Sequence, residues 1–455
     1  MTKGRRWSGF TILLMAALMA GVSAHPIFGD SDQSAKEDAF VEHFNRAVGS
    51  EFVDGDASGG GSGDSDTQTG NSGGLVSTAL AKLQVHGFLT QAWAGGNFVD
   101  IPAGLPAATP TVDELSIGIP EDGTTNYRQL ALQFRYEMSP KDLMIIQLSS
   151  RALGFSPIGK IEDEIDLDWA FYERKLTDHT SVKVGRVQLP FGIYNEIRDV
   201  GTVLPFYRPA FGIYRTGAFT SETVDGLVLI HHFAPESDWR FETNWYWGEF
   251  DEIELADENT VTFTQDVDCY GLQWWLNTPV PDLRLGLSLG TRKIQNSIFL
   301  PGVEKSEPFE HWMFSVDYTV SRFTFRGEYQ NTQTEGTFEG VGTLDFDLDF
   351  YYVEAGVRVT DKFQIWAQYD KQEQDISAAI FTEPDKRDVR TDFGVSLNYF
   401  FAPNVVLKAE YHEYEEGFTG YAPVFLPPPV FFQLQPLFFT LDGGDYTIIS
   451  LSVSF

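Results

Sequence analysis

The strongest constraint on the fold is a period-two alternation of apolar and polar residues that recurs from residue 81 to the C-terminus. Residues 130–137, 239–248 and 393–399 show it clearly. Successive side chains of a β-strand point to opposite faces, so this pattern predicts strands with one apolar and one polar face. No helix-period segment of comparable strength interrupts them, and we therefore expect an all-β fold.

The connections between about 16 candidate strands sort by length. Seven are short and rich in turn formers, as at 139–142 and 402–404. Eight longer loops alternate with them, near 95–127, 152–164, 190–222, 249–266, 293–309, 331–345, 371–390 and 415–445. This alternation predicts a transmembrane antiparallel β-barrel with short periplasmic turns and long extracellular loops. In hydrocarbon every backbone polar group must be paired, so strands can span only as a closed barrel.

Two further segments precede the predicted barrel, which we assign to residues 81–455. In residues 1–24, Lys3, Arg5 and Arg6 precede an apolar run that is too short to span a bilayer and that ends in small residues. These are the features of a signal peptide. Residues 25–80 are expected to form a periplasmic leader and a flexible linker, because 54–74 are almost entirely Gly, Ser, Asp and other polar residues.

Charge and motifs narrow the possible functions. The net charge of −33 argues against a nucleic-acid partner, because phosphate binding needs basic stripes. A single cysteine, Cys269, excludes an internal disulfide framework. A His-Glu-x-x-His motif is absent from the sequence. We therefore predict a protein that is not an enzyme, with no metal site and no cofactor.

The last strand and one internal segment carry a family resemblance. Ile449, Leu451, Val453 and the terminal Phe455 share one strand face, as in the strand by which Gram-negative barrels are recognised for insertion. Residues 184–192 read VGRVQLPFG and are similar to a stretch of porins related to the phosphate-selective family. The chain thus resembles Gram-negative outer-membrane porins. The resemblance implies a water-filled channel for passive diffusion of small hydrophilic solutes, contact with the lipid bilayer, and a homotrimer. The acid-rich outer loops could contact lipopolysaccharide through bridging divalent cations.

The third extracellular loop, 190–222, is the expected constriction, because in sixteen-strand porins this loop folds into the barrel. Pro190, Gly192, Pro205 and Pro209 would stiffen it; the alternative is a solvated surface loop. The predicted constriction residues are Tyr194, Glu196, Arg198, Asp199, Tyr207, Arg208, Tyr214 and Arg215.

By strand parity, the lumen wall is expected to carry charges of both signs, which does not favour a strongly anion-selective pore. The predicted wall residues are Arg135, Asp166, Asp168, Arg240, Glu242, Arg284, Arg326, Glu328 and Lys408.

Two other functions remain open from the sequence. One is an outer-membrane barrel enzyme that hydrolyses lipid or peptide, and the other is a structural or adhesin barrel with a closed lumen. The very apolar stretch near 424–439 could fold over the barrel mouth, contact a hydrophobic solute or a neighbouring protomer, or pack among the loops. Single-channel conductance separates the channel from its alternatives.

Overall fold

A computed structural model describes residues 82–97, 117–158, 164–214, 222–257, 260–295, 309–338, 342–425, 432–441 and 443–455. The predicted signal peptide and the predicted leader and linker lie outside these residues. Among the described residues, no helix has the length and apolar character needed to cross a membrane.

Strands dominate the described chain, in a single antiparallel sheet. Its segments are β1 (Leu83–Asn97), β2 (Thr124–Ser139), β3 (Asp142–Leu153), β4 (Asp166–Thr177), β5 (Thr180–Gln188), β6 (Thr223–Phe233), β7 (Arg240–Asp257), β8 (Thr260–Asn277), β9 (Leu283–Gln295), β10 (Phe309–Val320), β11 (Phe323–Phe338), β12 (Gly342–Thr360), β13 (Phe363–Ala378), β14 (Asp385–Ala402), β15 (Val405–Phe425), β16 (Phe432–Leu441) and β17 (Asp445–Ser454). Each strand from β1 to β15 pairs with its sequence neighbours, and β17 pairs with β1, which closes a barrel.

The last two segments form one interrupted strand. Residues 416–425 of β15 pair with β16, and residues 405–413 of β15 pair with β17. The break between them contains Gly443, where a Cβ would lie 1.3 Å from the Tyr414 carbonyl oxygen. The ladder continues across the break, since the Tyr414 amide donates to the Gly444 carbonyl at 2.9 Å. The barrel therefore has sixteen strands, as the sequence predicts.

The seven predicted short turns connect strands at one end of the barrel. Ala234, Asp282 and Ser321 lie in three of these turns and have positive φ angles of 47°, 55° and 55°. At the other end the strands are longer than expected. For example, β7 and β8 pair through Asp257 and Thr260, although 249–266 was predicted to be a loop. The same holds for much of 331–345, 371–390 and 415–445, including the described part of the apolar stretch.

The predicted apolar strand faces form the outside of the barrel. Trp245, Trp247, Leu397, Phe401 and Leu451 are exposed large apolar side chains on this surface. The inward neighbours of Leu397 and Leu451 are polar and buried, namely Ser396, Asn398, Ser450 and Ser452, and the burial of β14 and β17 alternates accordingly. An outward apolar face with every ladder closed is the arrangement that hydrocarbon requires.

One predicted parity is wrong on β4. A bulge interrupts the β3–β4 pairing after Gln147, which pairs with Trp169, while Leu148 pairs with Leu167. As a result Trp169 is buried and stacks on the buried Phe171, with ring centroids 5.6 Å apart. The predicted inward positions of Asp166 and Asp168 imply an outward Trp169, but a one-residue bulge reverses every assignment beyond it.

Candidate functional site in the barrel lumen

The described part of the segment between β5 and β6, up to residue 214, lies inside the barrel. On one side, Gln129 of β2 and Gln147 of β3 donate hydrogen bonds to Asp199. On another side, the Asn398 amide of β14 donates to the Pro205 carbonyl at 2.9 Å. One segment can reach inward-facing groups on such separate strands only from the lumen. We call its described part, residues 189–214, the lumen loop; it contains a short 3₁₀ helix at Asn195–Ile197 and a helical turn at Phe211–Tyr214.

Gly192 sets the direction in which the lumen loop enters. Its φ is +61°, and a Cβ there would lie 2.2 Å from the Tyr214 hydroxyl and 2.6 Å from Met313 Cε. Its carbonyl accepts a hydrogen bond from Gln273 of β8 at 2.9 Å. A left-handed conformation with no space for a side chain requires glycine, so this turn explains the glycine at position 192.

Glu328 of β11 is the main anchor of the loop. This carboxylate is buried and accepts from the Ile193 amide at 2.9 Å, from the Ser315 hydroxyl at 2.6 Å and from the Tyr352 hydroxyl at 2.9 Å. The Tyr214 hydroxyl also donates to it. Two donors from the loop and two from the wall thus converge on one side chain, and a buried carboxylate needs such partners.

A second anchor joins the loop to β12. Tyr194 donates its hydroxyl hydrogen bond to Glu354, and Arg326 donates to the Tyr194 oxygen at 2.8 Å. Asp317 lies between Arg326 and Arg284, accepting from each guanidinium at 3.0 Å. This chain of charges runs from the half-buried Arg284 to the loop. Asp317 and Glu354 therefore compensate much of the positive charge of Arg284 and Arg326.

The third cluster lies beside β3, where two arginines face acidic groups. Arg151 contacts Asp199 and Glu222, both at 3.3 Å, and Arg198 contacts Glu222 at 3.0 Å. Burial would raise the pKa of Glu222, but the two guanidinium groups outweigh it and lower this pKa to about 2. With 15% of the Arg151 and 25% of the Glu222 side chain exposed, this cluster is in contact with solvent.

Most of the predicted constriction residues hold the loop in place. Tyr194, Arg198, Asp199, Tyr207 and Tyr214 are buried. Glu196 and Arg208 are half-buried, and burial raises the pKa of Glu196. Arg215 lies outside the described residues.

The predicted wall residues fall into two groups. Glu328, Arg326 and Lys408 contact the lumen loop, since Lys408 Nζ donates to the Phe206 carbonyl at 2.7 Å. Arg284 is linked to the loop through Asp317 and Arg326.

The other predicted wall residues lie in different surroundings. Arg135 is buried beside Glu137 at 3.4 Å, and Asp168 accepts from Gln147 at 2.8 Å. Arg240 is exposed and Glu242 half-buried at the short-turn end, while Asp166 is exposed at the start of β4.

Sequence reasoning missed several anchors. Glu354 lies beyond the Tyr351-Tyr352-Val353 run, where the alternation loses its clear phase. Arg151, at the end of β3, and Glu222, just before β6, lie where parity gives no firm assignment. Only the fold shows that these residues meet the lumen loop.

The polar inner wall is largely shielded from water at the height of the lumen loop. Gln147, Gln273, Ser288 and Asn398 are each 2% exposed, and Gln330 is 1% exposed. These are inward polar side chains from five different strands. The loop therefore covers much of the wall around the lumen.

Comparisons with known proteins agree with this architecture. A family model described as Gram-negative porin matches residues 283–418. The in-vitro folded OmpT of Vibrio cholerae, an outer membrane protein in its trimer form, is 13% identical with a TM-score of 0.50, covering 82% of this chain and 99% of that one. Salmonella typhi OmpF in complex with daunomycin is 11% identical with a TM-score of 0.50, covering 82% and 97%. These likenesses concern the fold. No curated protein sequence matches the chain significantly.

Proposed function

We propose that the chain is an outer-membrane β-barrel of the Gram-negative porin type and acts as a passive diffusion channel for small hydrophilic solutes, narrowed by the loop at 190–222. The observation that carries the proposal is the set of hydrogen bonds between the lumen loop and inward groups of separate strands. A loop held in this way leaves solutes only the space beside it. The proposal assigns no catalytic step.

We assign the charge filter to the cluster of Arg151, Arg198, Asp199 and Glu222. Its support is that Arg151 and Glu222 are in contact with solvent, whereas Tyr194 and Tyr214 are buried in anchoring contacts. Because the cluster contains charges of both signs, we expect only a weak preference between cations and anions.

The proposal extends to the surroundings of the barrel. Its exposed outer face suits the lipid bilayer, with lipopolysaccharide around the long-loop end. A homotrimer is supported by the likeness to OmpT of Vibrio cholerae in its trimer form. Cross-linking of native membranes, read as a trimer band, tests this part.

Planar-bilayer recording of the refolded full-length protein tests the channel. We expect discrete conductance steps, and a reversal potential in a salt gradient that shifts when Arg151 is replaced by Gln. The exposed Lys82 outside the cluster is the matched control, as Lys82→Gln. Correctly folded protein without steps would refute the channel, and an unchanged reversal potential would refute the filter.

A closed-lumen barrel is the second candidate, and the burial of the inner wall favours it. If the lumen loop blocks the barrel permanently, the wild-type protein gives no steps, and variants that weaken its anchors conduct. If the loop only narrows the channel, both conduct and differ in step size.

A further inference from the structure

A short segment that precedes β2 packs together with the lumen loop. We call this segment, residues 117–120, the strap. Its side chains Ile117 and Ile119 are 1% and 0% exposed. They form one buried apolar cluster with Tyr207 and Phe211 of the lumen loop and with residues of β1, β2, β3, β15 and β17. The strap and the lumen loop therefore share a core inside the barrel.

Two glycines fix the position of the strap against the end of β3. Gly118 has a φ of +70°, and a Cβ there would lie 2.0 Å from the Leu153 carbonyl oxygen. Gly154 has a φ of +57°, and its Cβ would lie 2.0 Å from the Gly118 carbonyl oxygen. The same carbonyl accepts from the Phe155 amide at 3.0 Å. Because neither glycine has space for a side chain, the two turns interlock in one arrangement.

Tyr127 of β2 connects the strap with the lumen loop. Its side chain is fully buried, and its hydroxyl donates to the Ile117 carbonyl at 2.8 Å. Its ring centroid lies 5.0 Å from that of Tyr207, and the Arg208 guanidinium lies 5.7 Å from the same ring. One wall side chain thus contacts both segments.

Displacement of either segment uncovers the apolar core that they share. If the lumen loop moves, Tyr207 no longer covers Tyr127, and apolar surface is exposed to water at a cost in free energy. If the strap moves, the cluster loses Ile117 and Ile119, and the lumen loop loses part of its packing. Such a coupling is reciprocal, so each segment stabilises the other in place.

We propose that the strap locks the lumen loop in the barrel and that the two segments open together as one gate. The lock rests on the contacts of Ile117, Ile119 and Tyr127. Its consequence for solutes rests on the proposed channel function: while the strap is in place, the lumen beside β1, β2, β15 and β17 stays closed, and the channel widens there when the strap is displaced.

Ile119→Asp tests the lock in the refolded full-length protein, because it places a carboxylate in a fully buried apolar site. The readout is hydrogen exchange of the Gly212 and Tyr214 amides, which donate to Asp370 and to the Ala210 carbonyl. We expect exchange at least about tenfold faster than in the wild type, since exchange follows the open population. The matched control is Ile165→Asp, the same replacement at a side chain that is 72% exposed, and it should exchange like the wild type.

Two further variants test the coupling from each side. Tyr127→Phe keeps the ring and removes only the hydrogen bond to the Ile117 carbonyl, so the exchange of Gly212 should rise about fivefold. Tyr207→Ala alters the loop, and the readout moves to the strap. The Phe155 amide, which donates to Gly118, should then exchange about tenfold faster.

Wild-type exchange of the Gly212 and Tyr214 amides in folded Ile119→Asp overturns the lock, and equal acceleration in Ile165→Asp overturns it too. If Ile119→Asp does not fold, Tyr127→Phe decides by the same readout. Planar-bilayer recordings of the strap variants should show larger or more frequent steps than the wild type. If neither the wild type nor any variant conducts, the channel is refuted, while hydrogen exchange still decides whether the strap locks the loop.

Discussion

At the scale of single residues, the lumen loop depends on a few positions where chemistry leaves little choice. Gly192 supplies a left-handed turn with no space for a side chain. Glu222 supplies a negative charge between two arginines. Each position leads to a prediction about the loop that leaves the barrel itself intact.

Replacing Gly192 by Ala should displace the loop. The positive φ alone costs a non-glycine residue about 1 kcal/mol, and contact with the Tyr214 hydroxyl adds to it. We expect trypsin to cleave after Arg198 or Arg208, both in the lumen loop, much faster than in the wild type. Gly327→Ala is the control, since its nearest contact would be 3.2 Å away. Equal cleavage of the two variants would contradict this role of Gly192.

Acid should loosen the loop through Glu222. Its pKa is lowered from 4.5 to about 2 in the folded protein. The charge therefore stabilises the loop fully above pH 4.5, and this contribution is lost as the pH falls through about 2. We expect hydrogen-exchange protection of residues 198–214 to decrease over that range. In Glu222→Gln the decrease should be largely absent; a decrease as large as in the wild type would assign the effect to another carboxylate.

At the scale of elements, carboxylates of the barrel wall hold the lumen loop in place. Glu328→Ala removes the acceptor shared by Ile193, Tyr214, Ser315 and Tyr352. Unpaired buried donors cost about 1–3 kcal/mol each. Two of the four, the Ile193 amide and the Tyr214 hydroxyl, belong to the loop and regain water when it is released. A loss of about 3 kcal/mol should therefore raise the population of released loop about a hundredfold. Single-channel recordings should show larger or more frequent steps. The control is Glu335→Ala, which replaces an exposed residue of the same strand. Recordings of Glu328→Ala that match those of the wild type would contradict the anchoring role of Glu328.

Element boundaries show what the sequence can predict. The predicted short turns at 139–142 and 402–404 coincide with the β2–β3 and β14–β15 connections, because turn formers there interrupt an alternation that is strict where one face meets lipid. Beyond the bilayer both faces are polar, so the outer part of β11, residues 331–338, reads as a loop although it pairs with β12. The anchors of the lumen loop depend on which distant strands face it, and local periodicity contains no such information.

At the scale of the whole molecule, closure makes the barrel compatible with a membrane. The first and last strands pair over ten residues from Phe88–Ser454 to Asn97–Asp445. Without this pairing both edge strands would expose unpaired backbone groups to hydrocarbon. A covalent test of closure therefore tests the architecture on which the proposed channel rests.

Thr90 of β1 and Ser452 of β17 provide that test, because they are paired in the register and their hydroxyl oxygens are 2.8 Å apart. In a Cys269→Ser background, Thr90→Cys with Ser452→Cys should form a disulfide on mild oxidation, since directly opposed side chains are within its reach. A non-reducing gel should show altered migration of the unfolded chain, because a loop of more than three hundred residues is closed. Thr90→Cys with Ser450→Cys, displaced by two residues, should stay reduced. Cross-linking of the displaced pair in place of the direct one would shift the closure register, and cross-linking of neither would mean that the two ends of the sheet do not meet.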